Sequence, residues 1–204
     1  GYHRLLAFDP AHVAGRINLV DLLARTKDTA KLAEFAPELD GRPIATHVLV
    51  ACMPKSGSSF LATALRALTR WPENFLSFSN RHSEQEIYLP GLVAKAAENT
   101  IAQQHCRATE GNIQLLQAFG IRPVVLVRNL FDIVVSLKEF YDIGAVRNTF
   151  FVGRWDRLET PRRFDLIVDH LLPWYLSFFA SWIDAASADR LDCLLVTYAP
   201  MIAD

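Results

Sequence analysis

Five consecutive residues, Lys55, Ser56, Gly57, Ser58 and Ser59, bring a cation, three hydroxyls and one permissive glycine together. They follow the apolar run His47 to Cys52 and the pair Met53-Pro54. They precede Phe60, Leu61, Ala64, Leu65 and Leu68, which recur at helical spacing. A loop of this kind at the mouth of a helix offers one anion its backbone N–H groups, the positive end of the helix dipole and an ammonium group. The expected chemistry is the binding of phosphate or a close analogue. The G-x-x-x-x-G-K-[ST] pattern is absent, because Lys55 precedes its glycine. The competing use of the stretch is a capped strand-to-helix turn without a ligand.

A second cluster lies at Val124 to Tyr141. Val124 to Val127 reads as a buried strand ended by Arg128 and Asn129, and Phe131 to Phe140 as an amphipathic helix. Arg128 and Ser136 meet on one side of this junction if the helix turns back beside the strand. An arginine fork and a hydroxyl on rigid elements suit a second phosphate. The competing use of Arg128 is an ion pair with Asp132.

These residues need a scaffold, and the rest of the chain supplies its pattern. Phe75 to Phe78 reads as a short second strand and Ser83 to Ala97 as a helix beginning with Glu84 and Glu86. Thr100 to Gln103 reads as a third strand with His105 at its end, and Gly111 to Phe119 as a helix ended by Gly120. Asp192 to Tyr198 is the last strand. This alternation predicts a three-layer α/β fold, a central parallel sheet with helices on both faces. Ligands of such sheets bind at the carboxyl ends of the strands, so Lys55, His105 and Arg128 should converge there. Ala11 to Phe35 is helical in pattern and is broken by Asp40-Gly41-Arg42-Pro43. Residues 1–44 are therefore expected to be a peripheral helical layer of one domain spanning 1–204. Ile143 to Arg163, with its interleaved arginines and aromatics, reads as a lid or binding loop, or else as an exposed surface loop. Phe164 to Ala185 reads as one apolar core helix.

Composition narrows the class. At 204 residues, 51% hydrophobic and 21% charged, the chain can bury one substantial core. A formal charge of −1 argues against nucleic-acid binding through a general basic field. Cys52, Cys106 and Cys193 are odd in number and far apart, so they read as reduced thiols, which favours a cytoplasmic setting. No group of His, Cys, Asp or Glu has metal-ligand spacing, and no metal is expected. No continuous apolar run reaches the roughly 18 residues of a membrane span, and no signal-peptide pattern opens the chain.

Taken together, the two clusters resemble the sulfotransferase family that uses 3′-phosphoadenylyl sulfate (PAPS). Pro54-Lys55-Ser56-Gly57-Ser58-Ser59-Phe60-Leu61 is similar to that family's phosphosulfate loop, P-K-S-G-T-T-W/F-L. Arg128-Asn129-Leu130-Phe131-Asp132-Ile133-Val134-Val135-Ser136 is similar to its 3′-phosphate motif, R-N-P-x-D-x-x-x-S. Serines replace the threonines and Leu130 replaces the proline. The resemblance implies a P-loop-like phosphosulfate-binding loop and transfer of the sulfuryl group from PAPS, releasing 3′-phosphoadenosine 5′-phosphate (PAP). It implies that Lys55 attends the leaving oxygen and that Ser56, Gly57, Ser58 and Ser59 hold the 5′-phosphosulfate. Phe60 takes the position that stacks on adenine, Arg128 and Ser136 bind the 3′-phosphate, and Tyr198 approaches the adenine edge from the last strand. The family usually continues into a basic, glycine-containing segment, and nothing before Asp204 matches it. A C-terminal part of the domain is thus expected beyond this chain.

The acceptor, a small molecule or a carbohydrate, must lose a proton as the sulfuryl group arrives. A histidine suits this because its pKa lies near neutrality. His105 stands where many family members carry a catalytic histidine in a K-x-H pattern, although Gln103 replaces the lysine. Glu86 is the rival, since carbohydrate-modifying members use a glutamate in the segment after the first loop-helix unit. Two other functions stay open on the residues alone: a P-loop-type kinase and a non-catalytic nucleotide-binding module. Neither acceptor identity nor oligomeric state has a signature in the residues.

Overall fold

The computed structural model describes residues 45–77, 84–144, 150–151 and 153–203. The peripheral layer expected over 1–44 lies outside the described residues. So do 78–83, 145–149 and 152. In chain order the elements are β1 (His47–Cys52), α1 (Ser58–Thr69), α2 (Leu89–Ala94), β2 (Thr100–Gln104), α3 (Glu110–Ala118) and β3 (Val124–Val127). There follow α4 (Leu130–Asp142), a 3-10 turn (Trp155–Arg157), α5 (Thr160–His170), α6 (Leu172–Ser187), β4 (Leu194–Thr197) and α7 (Tyr198–Ala203). The described strands form an all-parallel sheet in the order β2-β1-β3-β4.

Side chains alternate along a strand, so the central strand β1 serves two cores at once. Leu49 and Ala51 join Val125 and Val127 in the larger cluster, which takes in Leu116 of α3, Ile133 of α4 and Phe178 and Trp182 of α6. Val50, Cys52 and Leu126 face the other way, against Leu61 and Leu65 of α1 and Met201 of α7. The fold is the three-layer α/β arrangement expected, with helices on both faces of the sheet.

Several elements depart from expectation. No strand forms at 75–77, where the chain touches the sheet only through a bridge between Glu73 and Ile101. The helix expected over Ser83 to Ala97 is confined to α2. Residues 84–88 are extended because their backbone donors go to other parts of the chain. Gln85 N–H donates to the His105 carbonyl, Ile87 N–H to Asn112 Oδ1 and Tyr88 N–H to the Leu76 carbonyl. Pro90, which has no N–H to offer, sits in the first turn of α2. The single helix expected over Phe164 to Ala185 is two helices that meet at Leu171. Pro173 has no N–H for the Asp169 carbonyl four residues earlier, which interrupts the ladder there.

Helix α5 opens at Thr160 with Pro161 in its first turn, so Arg162 and Arg163 sit on a helix instead of in the loop expected over Ile143 to Arg163. Arg163 donates to Asp142 Oδ1 at 2.7 Å, a carboxylate shared with Trp155 Nε1 and Lys138. Lys138, with Trp155 and Arg163, holds the Asp142 carboxyl down to about 2. The far end of the expected lid is therefore fastened to α4. By length and composition Thr160–Ser187, 28 residues, is apolar enough to cross a membrane, which a search for one continuous apolar run overlooks. Leu166, Ile167, Tyr175, Phe178 and Trp182 from this stretch are buried in the core.

The orientation of α6 makes a testable contrast. Phe178→Ala, at a position with no exposed surface, should cost about 3–5 kcal/mol in urea unfolding. Phe179→Ala, at 43% exposure, should cost less than about 1 kcal/mol. Equal losses would contradict the face that α6 presents to the sheet.

Candidate functional site

The carboxyl end of β1 passes into a turn that is held from within. Ser56 N–H and the Ser56 hydroxyl both donate to the Met53 carbonyl, at 3.2 and 2.6 Å. Ser56 is thereby fully buried with its hydroxyl spent on the turn, and the cleft wall is left to its neighbours. Lys55 and Gly57 both adopt left-handed backbone, with φ of 66° and 86°. Glycine does this freely, while a lysine there must be held. The first-turn N–H groups of a helix have no partner inside it, and α1 opens at Ser58 without a side-chain cap to take one.

What holds Lys55 comes from the next strand. Arg128, just past β3, donates from Nη1 to the Lys55 carbonyl at 3.0 Å. Its Nε is buried and has no hydrogen-bond partner, and Asp132 Oδ2 stands 4.0 Å away, the limit of an ion pair. The guanidinium carbon lies 4.3 Å from the centre of the Tyr198 ring, and the Lys55 ammonium lies 4.4 Å from that of Phe140. Tyr198 opens α7 instead of closing β4, and its ring packs against Gly57. A Cβ on Gly57 would fall 2.6 Å from Tyr198 Cε2. Lys55, Gly57, Ser58, Ser59, Arg128, Ser136 and Tyr198 thus line one cleft of about 280 Å³. Ser136 comes from α4, whose start Asn129 caps by accepting from Phe131 N–H. Phe60, 61% exposed on α1, is not among the residues lining the cleft. On the other side of Arg128 and Tyr198 lies an apolar cavity of about 420 Å³, walled by Met53, Val127, Leu130, Leu176, Phe179 and Pro200 among others.

The two candidate bases stand apart from these seven. His105 follows β2, beside the end of β1, and its Nδ1 lies 3.1 Å from the Cys52 carbonyl and 3.4 Å from Cys52 Sγ. Burial pulls its pKa below the usual value, and the contact with the Cys52 backbone opposes that. A cysteine beside a histidine suggests a thiolate nucleophile, but burial pushes the Cys52 thiol up to about 12. Glu86 lies in the extended stretch before α2 and accepts from Thr109 Oγ1 at 3.0 Å. Although Glu86 is exposed, partial desolvation by its neighbours first, and then the charge of Glu84, raise its pKa. Among the described residues no group of three or more His, Cys, Asp or Glu could hold a metal ion.

Three supporting residues were not singled out from sequence. Gln103 Nε2 donates to Ser58 Oγ at 2.9 Å, the Tyr175 hydroxyl donates to the Pro54 carbonyl at 3.4 Å, and Phe140 underlies Lys55. Gln103 reaches Ser58 because it pairs in register with Val50, whose side of the sheet faces α1, a register that the residues alone do not give.

No protein-family model and no curated protein matches the chain. Among solved structures it is similar to the crystal structure of mouse sulfotransferase SULT7A1 complexed with PAP, with a TM-score of 0.53 and 16% sequence identity. The match covers 83% of this chain and 58% of that one, so this chain spans less than two thirds of the neighbour's length. At this identity the likeness is one of fold: the chain has a sulfotransferase-like fold.

The contact between Gly57 and Tyr198 gives a direct test of the cleft. Gly57→Ala adds a methyl group at left-handed backbone and against a ring, and should lower stability by about 1–3 kcal/mol in thermal unfolding. Tyr198→Ala in the same chain should recover part of that loss. Full tolerance of Gly57→Ala would contradict the packing of α7 on the loop.

Proposed function

We propose that this chain transfers the sulfuryl group of PAPS to a hydroxyl or amine of a small-molecule or carbohydrate acceptor and releases PAP. The observation that carries the reading is Arg128, which braces the first loop through one nitrogen while a second, buried nitrogen has no partner. A buried donor of this kind beside a cleft lined with hydroxyls and a lysine fits an anion. The loop ahead of α1 and the Arg128–Ser136 pair would serve the two phosphate-bearing ends of one nucleotide. The sulfotransferase-like fold and the two sequence motifs support the same choice. A single domain over 1–204 and a cytoplasmic setting belong to this proposal as well.

In the reaction the acceptor oxygen bonds to sulfur, the bond from sulfur to the 5′-phosphate oxygen breaks, and the acceptor proton leaves. Lys55 and the first-turn N–H groups of α1 stabilise the charge that grows on the leaving phosphate. Arg128 and Ser136 fix the nucleotide by its 3′-phosphate, with Tyr198 stacked on the guanidinium. Phe60 is exposed on the first turn of α1, where it is free to stack on the adenine. His105, whose pKa burial lowers, takes the proton. Glu86 is the alternative base.

Calorimetry with PAP in the absence of metal tests the nucleotide. Arg128→Ala and Lys55→Ala should each weaken binding by ~1.5–3 kcal/mol, and Arg128→Ala should also erode discrimination against adenosine 5′-phosphosulfate. Binding of ATP with Mg²⁺ in place of PAP would instead favour a kinase. For the base, His105→Ala should lower turnover by ~10²–10⁴-fold with PAP binding kept; Glu86→Gln being the inactive variant would move the role to Glu86. A base with a lowered pKa stays competent as pH falls. The acid limb of kcat/KM should therefore lie below the ordinary histidine value of about 6.5, and a limb above it would contradict the assignment.

A further inference from the structure

Cys52 is the last residue of β1, fully buried, and its thiol has no part in the reading above. Its contacts nevertheless bear on His105. The Cys52 thiol donates to the Gln104 carbonyl at 3.5 Å, while its sulfur lies 3.4 Å and its carbonyl oxygen 3.1 Å from the same His105 Nδ1. A carbonyl oxygen only accepts, so Nδ1 must carry a hydrogen. A thiol whose hydrogen is directed at Gln104 meets the ring with its sulfur lone pair, which again calls for a hydrogen on Nδ1. Both contacts select one tautomer, and in that tautomer the free lone pair is on Nε2. Among the described residues no hydrogen bond engages Nε2. The main chain of His105 is clamped as well: its N–H donates to Gln85 Oε1 at 2.8 Å, and Gln85 N–H donates to its carbonyl at 2.8 Å.

We infer that Cys52 is a positioning residue, which fixes His105 as the Nδ1–H tautomer and reserves Nε2 for the acceptor's proton. The second half rests on the proposed sulfotransferase reaction; the tautomer itself does not. As the acceptor oxygen bonds to sulfur, its proton passes to the Nε2 lone pair, and the electrons of the broken bond stay on the 5′-phosphate oxygen. His105 becomes doubly protonated and returns the proton to water after product leaves. The high pKa of the buried thiol agrees with this arrangement, since Cys52 keeps the hydrogen it donates to Gln104. A serine at position 52 can make the two side-chain contacts, to Gln104 and to Nδ1, whereas a valine of similar size makes neither and leaves only the main-chain carbonyl to hold the ring.

The test is a long-range proton–nitrogen correlation spectrum of the ¹⁵N-labelled full chain at neutral pH, with the His105 signals assigned by their loss in His105→Asn. The expected spectrum has a protonated Nδ1 and an unprotonated Nε2. In Cys52→Val, which keeps the main-chain acceptor and loses the sulfur, the share of the Nδ1–H tautomer should fall and kcat should fall with it while KM for PAPS holds. Cys52→Ser should restore both. A protonated Nε2 in the wild-type chain, or a Cys52→Val spectrum identical to wild type, overturns the inference. If the spectra behave as expected but His105→Ala keeps full turnover, the tautomer clamp stands and the proton-accepting role falls.

Discussion

The hydrogen bond from Arg128 to the Lys55 carbonyl is the contact on which the site depends. It runs between two loops that are far apart in sequence and that follow neighbouring strands. Lys55 occupies left-handed backbone that an L-residue with a long side chain resists. The guanidinium offsets that cost by fixing the carbonyl of the same residue. Because the guanidinium also stacks on Tyr198, and Tyr198 packs on Gly57, the loop is closed on itself from three directions. Losing Arg128 would therefore remove one wall of the cleft and loosen the turn that carries Lys55, Gly57, Ser58 and Ser59.

The sheet explains why such a contact is available. Parallel strands direct their carboxyl ends to one edge, and β1, β2 and β3 are adjacent there. Each is followed by one of the residues that the proposed reaction uses: β1 by Lys55, β3 by Arg128, β2 by His105. Their supports come from both faces. Gln103 braces Ser58 on the α1 side, and Tyr175 of α6 reaches Pro54 from the opposite layer.

Much of this was legible from residue types. Strands β1 and β3 are buried on both faces and so appear as unbroken apolar runs, and the polar clusters that end them mark where the chain must turn. The meeting of Lys55 and Arg128 in one cleft followed from that layout and that of Ser136 with Arg128 from the helix after β3, while His105, expected at the same edge, does not line the cleft. The inward turn of Ser56 was not legible, because a hydroxyl that closes a turn and one that binds phosphate look alike in sequence. The extended stretch at 84–88 was also hidden, since its partners, Asn112, His105 and Leu76, lie elsewhere in the chain. Helical spacing there was overridden by tertiary hydrogen bonds. The break at Leu171 had a visible cause in Pro173, which the strong apolar pattern around it masked.

The proposed reaction requires that one cleft hold both ends of a single nucleotide. A crystal structure of the chain with PAP tests it most directly. The 5′-phosphate should lie within hydrogen-bonding reach of Lys55 Nζ and the Ser58 and Ser59 N–H groups, and the 3′-phosphate on Arg128 and Ser136. A nucleotide seated elsewhere, or one whose 3′-phosphate leaves Arg128 Nε without a partner, would contradict it.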